Sequence, residues 1–249
     1  MSMPLTHFLT DAGEPISFEA AIDASLETPG VFTAPMLMAM VPDDSRQHAG
    51  LSASMLGGCA RKAFFELTVD YGQHPSKLWA ALRGTAFHTI FEGQQHPAIR
   101  AEQRVARQTE TGVWISGKAD HLEFMSGRLY DYKSKEKFPS EVAYSYEVQL
   151  NTYAWLLADP HDAATHAALP PVTVTELYLK YFTMKEIGPS VPVRRWQPGE
   201  WEERMLPVIE EITGAIAGGP WPQREYPYPL RSPFCAGYCP FIQTCCERS

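Results

Sequence analysis

The chain has 249 residues, 45% of them hydrophobic, with 21 Lys plus Arg against 29 Asp plus Glu and a formal net charge of -8. That length and apolar content suit one large domain or two small ones with a real core. The acidic balance excludes a passive, basic nucleic-acid coat, but not a nuclease, whose grip depends on local patches and metal ions.

No apolar run reaches the length of a bilayer span, and the N-terminus lacks the pattern of a secretory signal. The expectation is a cytoplasmic protein with no membrane partner. Met1 to Gly50 carries Pro4, Pro15, Pro29, Pro35 and Pro42 between short apolar runs. It reads as an N-terminal arm or appendage, or as a segment wrapped over the core. Within it, Ile16 to Leu26 suits a short helix.

Leu51 to Tyr71 predicts a helix capped by Ser52 or Ser54, weakened locally by Gly57 and Gly58. It carries Cys59. Leu78 to Gln94 predicts the next helix, with Gly84 and His88 four apart on one face. A small residue there allows close approach of a neighbour. His88 can supply a neutral imidazole to a metal or stand as an ordinary histidine. Arg100 to Arg107 predicts a strand with Glu102 early in it.

Val113 to Lys133 predicts a β-hairpin turning at Ser126-Gly127. A two-residue loop there puts Met125 opposite Arg128, Leu122 opposite Asp131 and Asp120 opposite Lys133. One face then holds Asp120, Leu122, Phe124, Leu129, Asp131 and Lys133, and the other holds His121, Glu123, Met125, Arg128, Tyr130 and Tyr132. Two carboxylates and an ammonium at the open end of a buried face suit a divalent cation and a water to be activated. The competing reading is an ordinary ion pair at a sheet end.

Ser140 to Ala158 predicts a helix with Tyr146, Leu150, Tyr153, Ala154 and Leu157 at helical spacing, and Gln149 four before Tyr153. Asp159-Pro160 ends it. Val172 to Phe182 predicts a strand, Ser190 to Trp196 a shorter one, and Gly199 to Ala217 a helix kinked or divided by Pro207. The apolar stripe of that last helix is Trp201, Met205, Val208, Ile212 and Ile216. The order implies an α/β fold, a mixed central sheet flanked by helices.

The tail from Cys235 to Cys246 has the spacing C-x3-C-x5-CC. Thiolates brought together by short loops ligate zinc or an iron–sulfur cluster. Cys235, Cys239 and Cys245 supply three ligands, Cys59 is the remote candidate for a fourth, and Cys246 can stand in for Cys245. Such a site would staple the first predicted helix to the C-terminus. The alternative is a set of reduced, buried thiols.

Taken in order, these motifs resemble the RecB-like branch of the PD-(D/E)XK nucleases, and most closely its iron–sulfur members, the CRISPR-associated Cas4 proteins and related phage exonucleases. The resemblance runs from about Leu51 to Cys246. It rests on Leu51-Ser52-Ala53-Ser54 to Cys59, Gly84 to His88, Glu102, Gly117-Lys118-Ala119-Asp120, Asp131-Tyr132-Lys133-Ser134, Gln149 to Tyr153, and the terminal cysteines. The tail departs from the family pattern, with three residues rather than two between its first cysteines.

The resemblance implies a restriction-endonuclease-like core over residues 51–249, closed by a cysteine cluster, with residues 1–50 outside it. It implies that His88, Asp120, Asp131 and the Tyr132 carbonyl hold Mg²⁺ or Mn²⁺, and that Lys133 orients the attacking water. Gln149 and Tyr153 would lie beside the scissile phosphate, and Glu102 would order the site. Cys59, Cys235, Cys239 and Cys245 would hold a [4Fe–4S] cluster, with zinc as the substitute. The implied activity is metal-dependent exonuclease cleavage of DNA, at single strands or ends. Two other readings are a weakly catalytic subunit of a recombination, replication or CRISPR-adaptation complex, and a zinc-stapled RNA-processing nuclease. Arg61, Lys62, Lys135 and Lys137 are candidates to meet the backbone, and Trp79, Tyr144 and Tyr146 to stack on bases, although surface charge and core packing are commoner roles.

Overall fold

The computed structural model describes residues 5–28, 30–41, 50–92, 96, 98–183, 185–223, 235 and 239–247. The side chains of residues 80, 81, 83, 87, 88, 91, 92, 100–103 and 247 lie outside that description.

The N-terminal segment forms β1 (Leu5–Leu9), β2 (Pro15–Ile16), α1 (Phe18–Glu27) and α2 (Ala34–Met40). Ser17 starts α1 by accepting the Ala20 N–H on its hydroxyl at 3.1 Å. The hairpin of β1 and β2 is invisible in the sequence because one of its strands is two residues long and begins with proline. Phe8, Leu37 and Met40 form a small separate core, against which Leu78 and Leu82 also pack.

β3 (Leu51–Ser52) is followed by two short helices, α3 (Ala53–Leu56) and α4 (Ala60–Thr68), rather than one helix to Tyr71. The break falls at Gly57-Gly58, where helix propensity is lowest. β4 (Tyr71–Gln73) then pairs in parallel with β1. α5 (Pro75–Glu92) leads into β5 (Ile99–Gln108), β6 (Trp114–Glu123) and β7 (Arg128–Ser134). α6 (Tyr144–Ala158) follows, then β8 (His161–Asp162), β9 (Glu176–Phe182), β10 (Ile187–Val193), α7 (Glu200–Ile216) and α8 (Ile242–Glu247).

The large sheet has the order β10-β9-β7-β6-β5-β8, with β3 also pairing β6. β5, β6 and β7 form an antiparallel meander, and β9 returns parallel to β7 after the α6 crossover. α5 and α6 both lie against β5, β6 and β7, and α7 packs on α3, α4 and α6. Leu122, Leu129, Leu177 and Leu179 are buried on the central strands. β10 forms one edge and contains Pro189 and Pro192. Among the described residues no helix is long and apolar enough to cross a membrane.

The hairpin register differs from the expected one by two residues. The pairs are Glu123↔Arg128, Leu122↔Leu129 and His121↔Tyr130, so the loop is Phe124 to Gly127. Gly127 sits in the left-handed region at φ 67°, and its N–H closes the loop on the Glu123 carbonyl at 2.9 Å. A slip of two leaves the facing of every side chain unchanged, because strand side chains alternate with period two. Asp120, Leu122, Leu129, Asp131 and Lys133 therefore still share a face. On the other, His121 Nδ1 lies 2.7 Å from the Tyr132 hydroxyl, and the Tyr130 and Tyr178 rings stack.

α7 is continuous through Pro207. Its buried residues are Trp201, Met205, Ile209, Ile212 and Ala215, so burial of that stripe outweighs the proline penalty of about 3 kcal/mol. Val208 is only partly buried and Ile216 is exposed.

The expected cysteine-bound module is not formed. Among the described residues no three His, Cys, Asp or Glu side chains come together as a metal-ion group. This corrects the assignment of a [4Fe–4S] cluster, or zinc in its place, to Cys59, Cys235, Cys239 and Cys245, with Cys246 as substitute. No disulfide joins any of the five. Cys239 and Cys245 pack against the apolar core, and burial pushes the Cys239 thiol up, favouring the protonated form over a thiolate ligand. The tail is pinned by aromatic packing instead. The buried Phe241 ring stands 5.4 Å from Phe65 and 4.8 Å from Tyr71, and Trp221 packs on Phe65 at 5.2 Å. Arg61 adds a hydrogen bond from Nε to the Pro222 carbonyl at 2.6 Å. Clustering in sequence brought Cys239 and Cys245 near the core, but no metal-ion group forms there among the described residues.

Candidate active site

The site lies where β6 and β7 part beyond the His121↔Tyr130 pair. There the Tyr132 N–H, which a regular ladder would give to a carbonyl, donates to Asp120 Oδ2 at 2.6 Å. Asp131 is 1% exposed and Asp120 5%. Lys133 Nζ forms an ion pair with Asp131 Oδ2 at 2.6 Å and donates to Gln149 Oε1 at 3.1 Å. Gln149 Nε2 in turn donates to the Tyr153 hydroxyl at 2.7 Å. One turn of α6 puts Gln149 and Tyr153 on the same side, which links helix and strand in a single polar chain.

Burial alone would lower the Lys133 ammonium. Asp131 beside it, with Asp120 adding to the effect, outweighs burial and lifts it above the ordinary lysine value. Burial, then Asp131 and Asp120, hold the Tyr153 phenol well above its usual value. The ammonium stays charged and the phenol stays neutral. The Tyr146 ring lies 4.9 Å from Lys133 Nζ and 5.2 Å from Lys135 Nζ, a stacking surface for two cations.

Gly117, three residues before Asp120, sets the depth of Tyr153. A Cβ at Gly117 would meet Tyr153 Cε1 at 2.7 Å and Leu156 Cδ1 at 2.8 Å. Tyr153 is buried and has no room to yield. Gly117→Ala is expected to cost about 1–3 kcal/mol, the usual penalty for overpacking, and to shift Tyr153 away from Gln149. Thermal unfolding measures the first effect. A variant as stable as the parent would contradict this packing.

The sequence-predicted residues fall into three groups. Asp120, Asp131, Lys133, Gln149 and Tyr153 are brought together, with the backbone of Tyr132 between the two carboxylates. Glu102 stands on β5 between the pairs Ala101↔His121 and Gln103↔Ala119, across from Asp120, and its side chain lies outside the described residues. His88 is on α5, which packs against the same strands, and its side chain also lies outside them. The cysteines take no part.

Of the basic candidates, Arg61 and Lys62 are committed elsewhere, Arg61 to Pro222 and Lys62 to Glu66 at 2.5 Å. Trp79 and Tyr144 are exposed. Sequence reasoning missed Tyr181, which stands beside Lys133 in the β7–β9 register, and Asn151, which is fully buried. The alternation of β9 placed Tyr181 on a buried face, but only the strand pairing shows what it faces.

A sequence model described as the PD-(D/E)XK nuclease superfamily matches residues 99–246, more than half of the chain. The chain belongs to the PD-(D/E)XK nuclease superfamily. The family assignment carries a nuclease type of enzymatic activity. The meander β5-β6-β7, the α6 crossover and β9 form the part of the superfamily match that frames the site.

A solved structure named SSO0001 is 17% identical, with a TM-score of 0.51, and the match covers 77% of this chain and 82% of that one. That likeness shows a shared fold. A candidate exonuclease from Eubacterium rectale is 13% identical, with a TM-score of 0.33 over 65% of this chain and 58% of that one. That distance is too large to support an argument. A search of the curated proteins gives no match.

Proposed function

We propose that this PD-(D/E)XK protein hydrolyses phosphodiester bonds in DNA at the site formed by Asp120, Asp131, Lys133, Gln149 and Tyr153, within the RecB-like branch of the superfamily. The observation that supports this reading is the position of Lys133, whose ammonium is held between a buried carboxylate and the Gln149–Tyr153 pair. A buried cation at that point can neutralise charge on a phosphate as it is attacked.

The donor set fits a divalent cation. Asp120 and Asp131 offer hard carboxylate oxygens on one sheet face, which suit Mg²⁺ or Mn²⁺ and do not suit iron or zinc thiolate chemistry. Asp120 and Asp131 would hold it, with the Tyr132 carbonyl and the side chains of His88 and Glu102 as further candidates. Bound there, it supplies Lewis-acid activation of a water. Lys133 orients the water and balances developing charge, Gln149 fixes the ammonium, and Tyr153 fixes Gln149. Asp120 also holds the two strands at a set spacing through the Tyr132 N–H.

The nuclease domain is proposed to span residues 51–249, with residues 1–50 as an appendage packed on α5, and a DNA substrate fits work in the cytoplasm. The substrate is proposed to be single-stranded DNA or DNA ends. Purified protein should be incubated with end-labelled linear single-stranded, linear duplex and circular DNA in Mg²⁺ or Mn²⁺. Linear forms should be shortened and circles spared, and the Lys133→Met variant should be inert on all. Cutting of circles would replace the exonuclease reading by an endonuclease one. Failure to cut any of them would remove the DNase assignment.

A further inference from the structure

One polar atom beside the site has no task in this scheme. The Tyr181 hydroxyl is buried and has no hydrogen-bond partner among the described residues. Tyr181 itself is 3% exposed and stands directly beside Lys133 across the parallel β7–β9 ladder, so both side chains leave the same sheet face. Its phenol is pushed up by burial first and by Tyr146 next, with Lys133 and Asp131 also acting on it. It therefore remains a neutral hydroxyl on the sheet face that carries Lys133 and Asp131.

A buried hydroxyl without a partner destabilises a fold, and phenylalanine would fill the same space without that penalty. Such an atom is explained if a partner reaches it in another state of the site. Lys133 supplies that partner. Its ammonium has three donors and now gives one to Asp131 and one to Gln149. A substrate phosphate competes with Asp131 for this ammonium, and turning toward it loosens the hold on Asp131. A donor on its buried side then needs a new acceptor, and the hydroxyl of Tyr181, its neighbour in the ladder, can serve as one.

We propose that Tyr181 is a positioning residue, whose hydroxyl accepts a Lys133 N–H when the ammonium turns from Asp131 toward a substrate phosphate. The proposal rests on the reading of Lys133 as the residue that meets the phosphate. Tyr181 touches neither substrate nor metal ion in it.

The test compares the parent, Tyr181→Phe, Lys133→Met and the double variant, using a labelled single-stranded oligonucleotide in EDTA, so that binding is read without metal-dependent cleavage. Tyr181→Phe should have an unchanged or higher thermal midpoint and bind the oligonucleotide roughly threefold to tenfold more weakly, the range of a single coupled hydrogen bond. In the Lys133→Met background the same change should have no effect on binding. Lys133→Gln replaces Lys133→Met if the latter does not fold. Cleavage in Mg²⁺ by Tyr181→Phe should lose kcat in the same proportion or more.

Parent-like binding and cleavage by Tyr181→Phe would overturn the proposal. So would an equal loss of binding with and without Lys133, which would mean a general packing role. DNA cleavage by Lys133→Met at the parental rate would instead defeat the reading of the site, and the Tyr181 assignment with it.

Discussion

Asp131→Asn is expected to keep its fold and lose at least about a thousandfold of the DNA cleavage rate, the range seen when one preorganised charge or donor is removed from an active site. The substitution changes one oxygen to a nitrogen in a side chain that is almost wholly buried. The shape is kept, so the sheet and α6 have no reason to move. Lys133 retains its bond to Gln149 but loses the carboxylate that, against burial, keeps its ammonium charged. The variant also removes one of the two carboxylates able to hold a cation. Stability should fall, because breaking a buried ion pair leaves the other charge uncompensated, although Gln149 and the Tyr146 ring still face that charge. Single-turnover cleavage in Mg²⁺, with circular dichroism as the control for folding, gives the answer. Retained cleavage by a correctly folded variant would mean that chemistry occurs elsewhere on the chain.

The largest loss of stability is expected at Asn151, away from the reacting groups. Asn151 is fully buried on α6. Its Nδ2 donates to the Glu147 and Arg194 carbonyls, both at 2.9 Å, and its Oδ1 accepts the Trp196 N–H at 2.8 Å. It therefore satisfies two backbone groups of the stretch that leaves β10 for α7. Glu147 supports the same junction by accepting the Trp196 indole N–H at 2.6 Å. Asn151→Leu has nearly the right volume but leaves the Trp196 N–H and the Arg194 carbonyl to be desolvated alone. At about 1–3 kcal/mol for each orphaned group, the cost is roughly 3–5 kcal/mol. For a chain of this length that corresponds to a fall in Tm of roughly 6–20 °C. Denaturant titration of the variant would show it, and a loss below about 1 kcal/mol would mean that these bonds matter little. Activity should fall as well, because Gln149 and Tyr153 ride on the same helix.

Much of the frame was legible in the sequence because its signals are periodic. The apolar spacing of Tyr146, Leu150, Tyr153 and Leu157 marked α6, and alternation marked β6 and β7. The shared face of Asp120, Asp131 and Lys133 survived an error in register because the error was an even number of residues. An odd slip would have separated them. Contacts made between distant segments were not legible. Nothing local to Tyr181 says that β9 lies beside Lys133, and nothing local to Asn151 says that the chain after β10 ends on it. The tail shows the same limit. Four cysteines within twelve positions suggested ligands, but the tail is held by Phe241 and Trp221 packing against Phe65, a contact between distant segments. Pro207 does not divide α7, because helix propensity is local while the burial that overrides it comes from other helices.

The outer strand β10 has a consequence for association between molecules. Pro189 and Pro192 carry no backbone N–H, and proline is tolerated in a sheet chiefly on such a margin. A second copy therefore finds a poorer run of donors along that border than an ordinary strand would offer. Joining of two molecules sheet to sheet through β10 is thereby disfavoured.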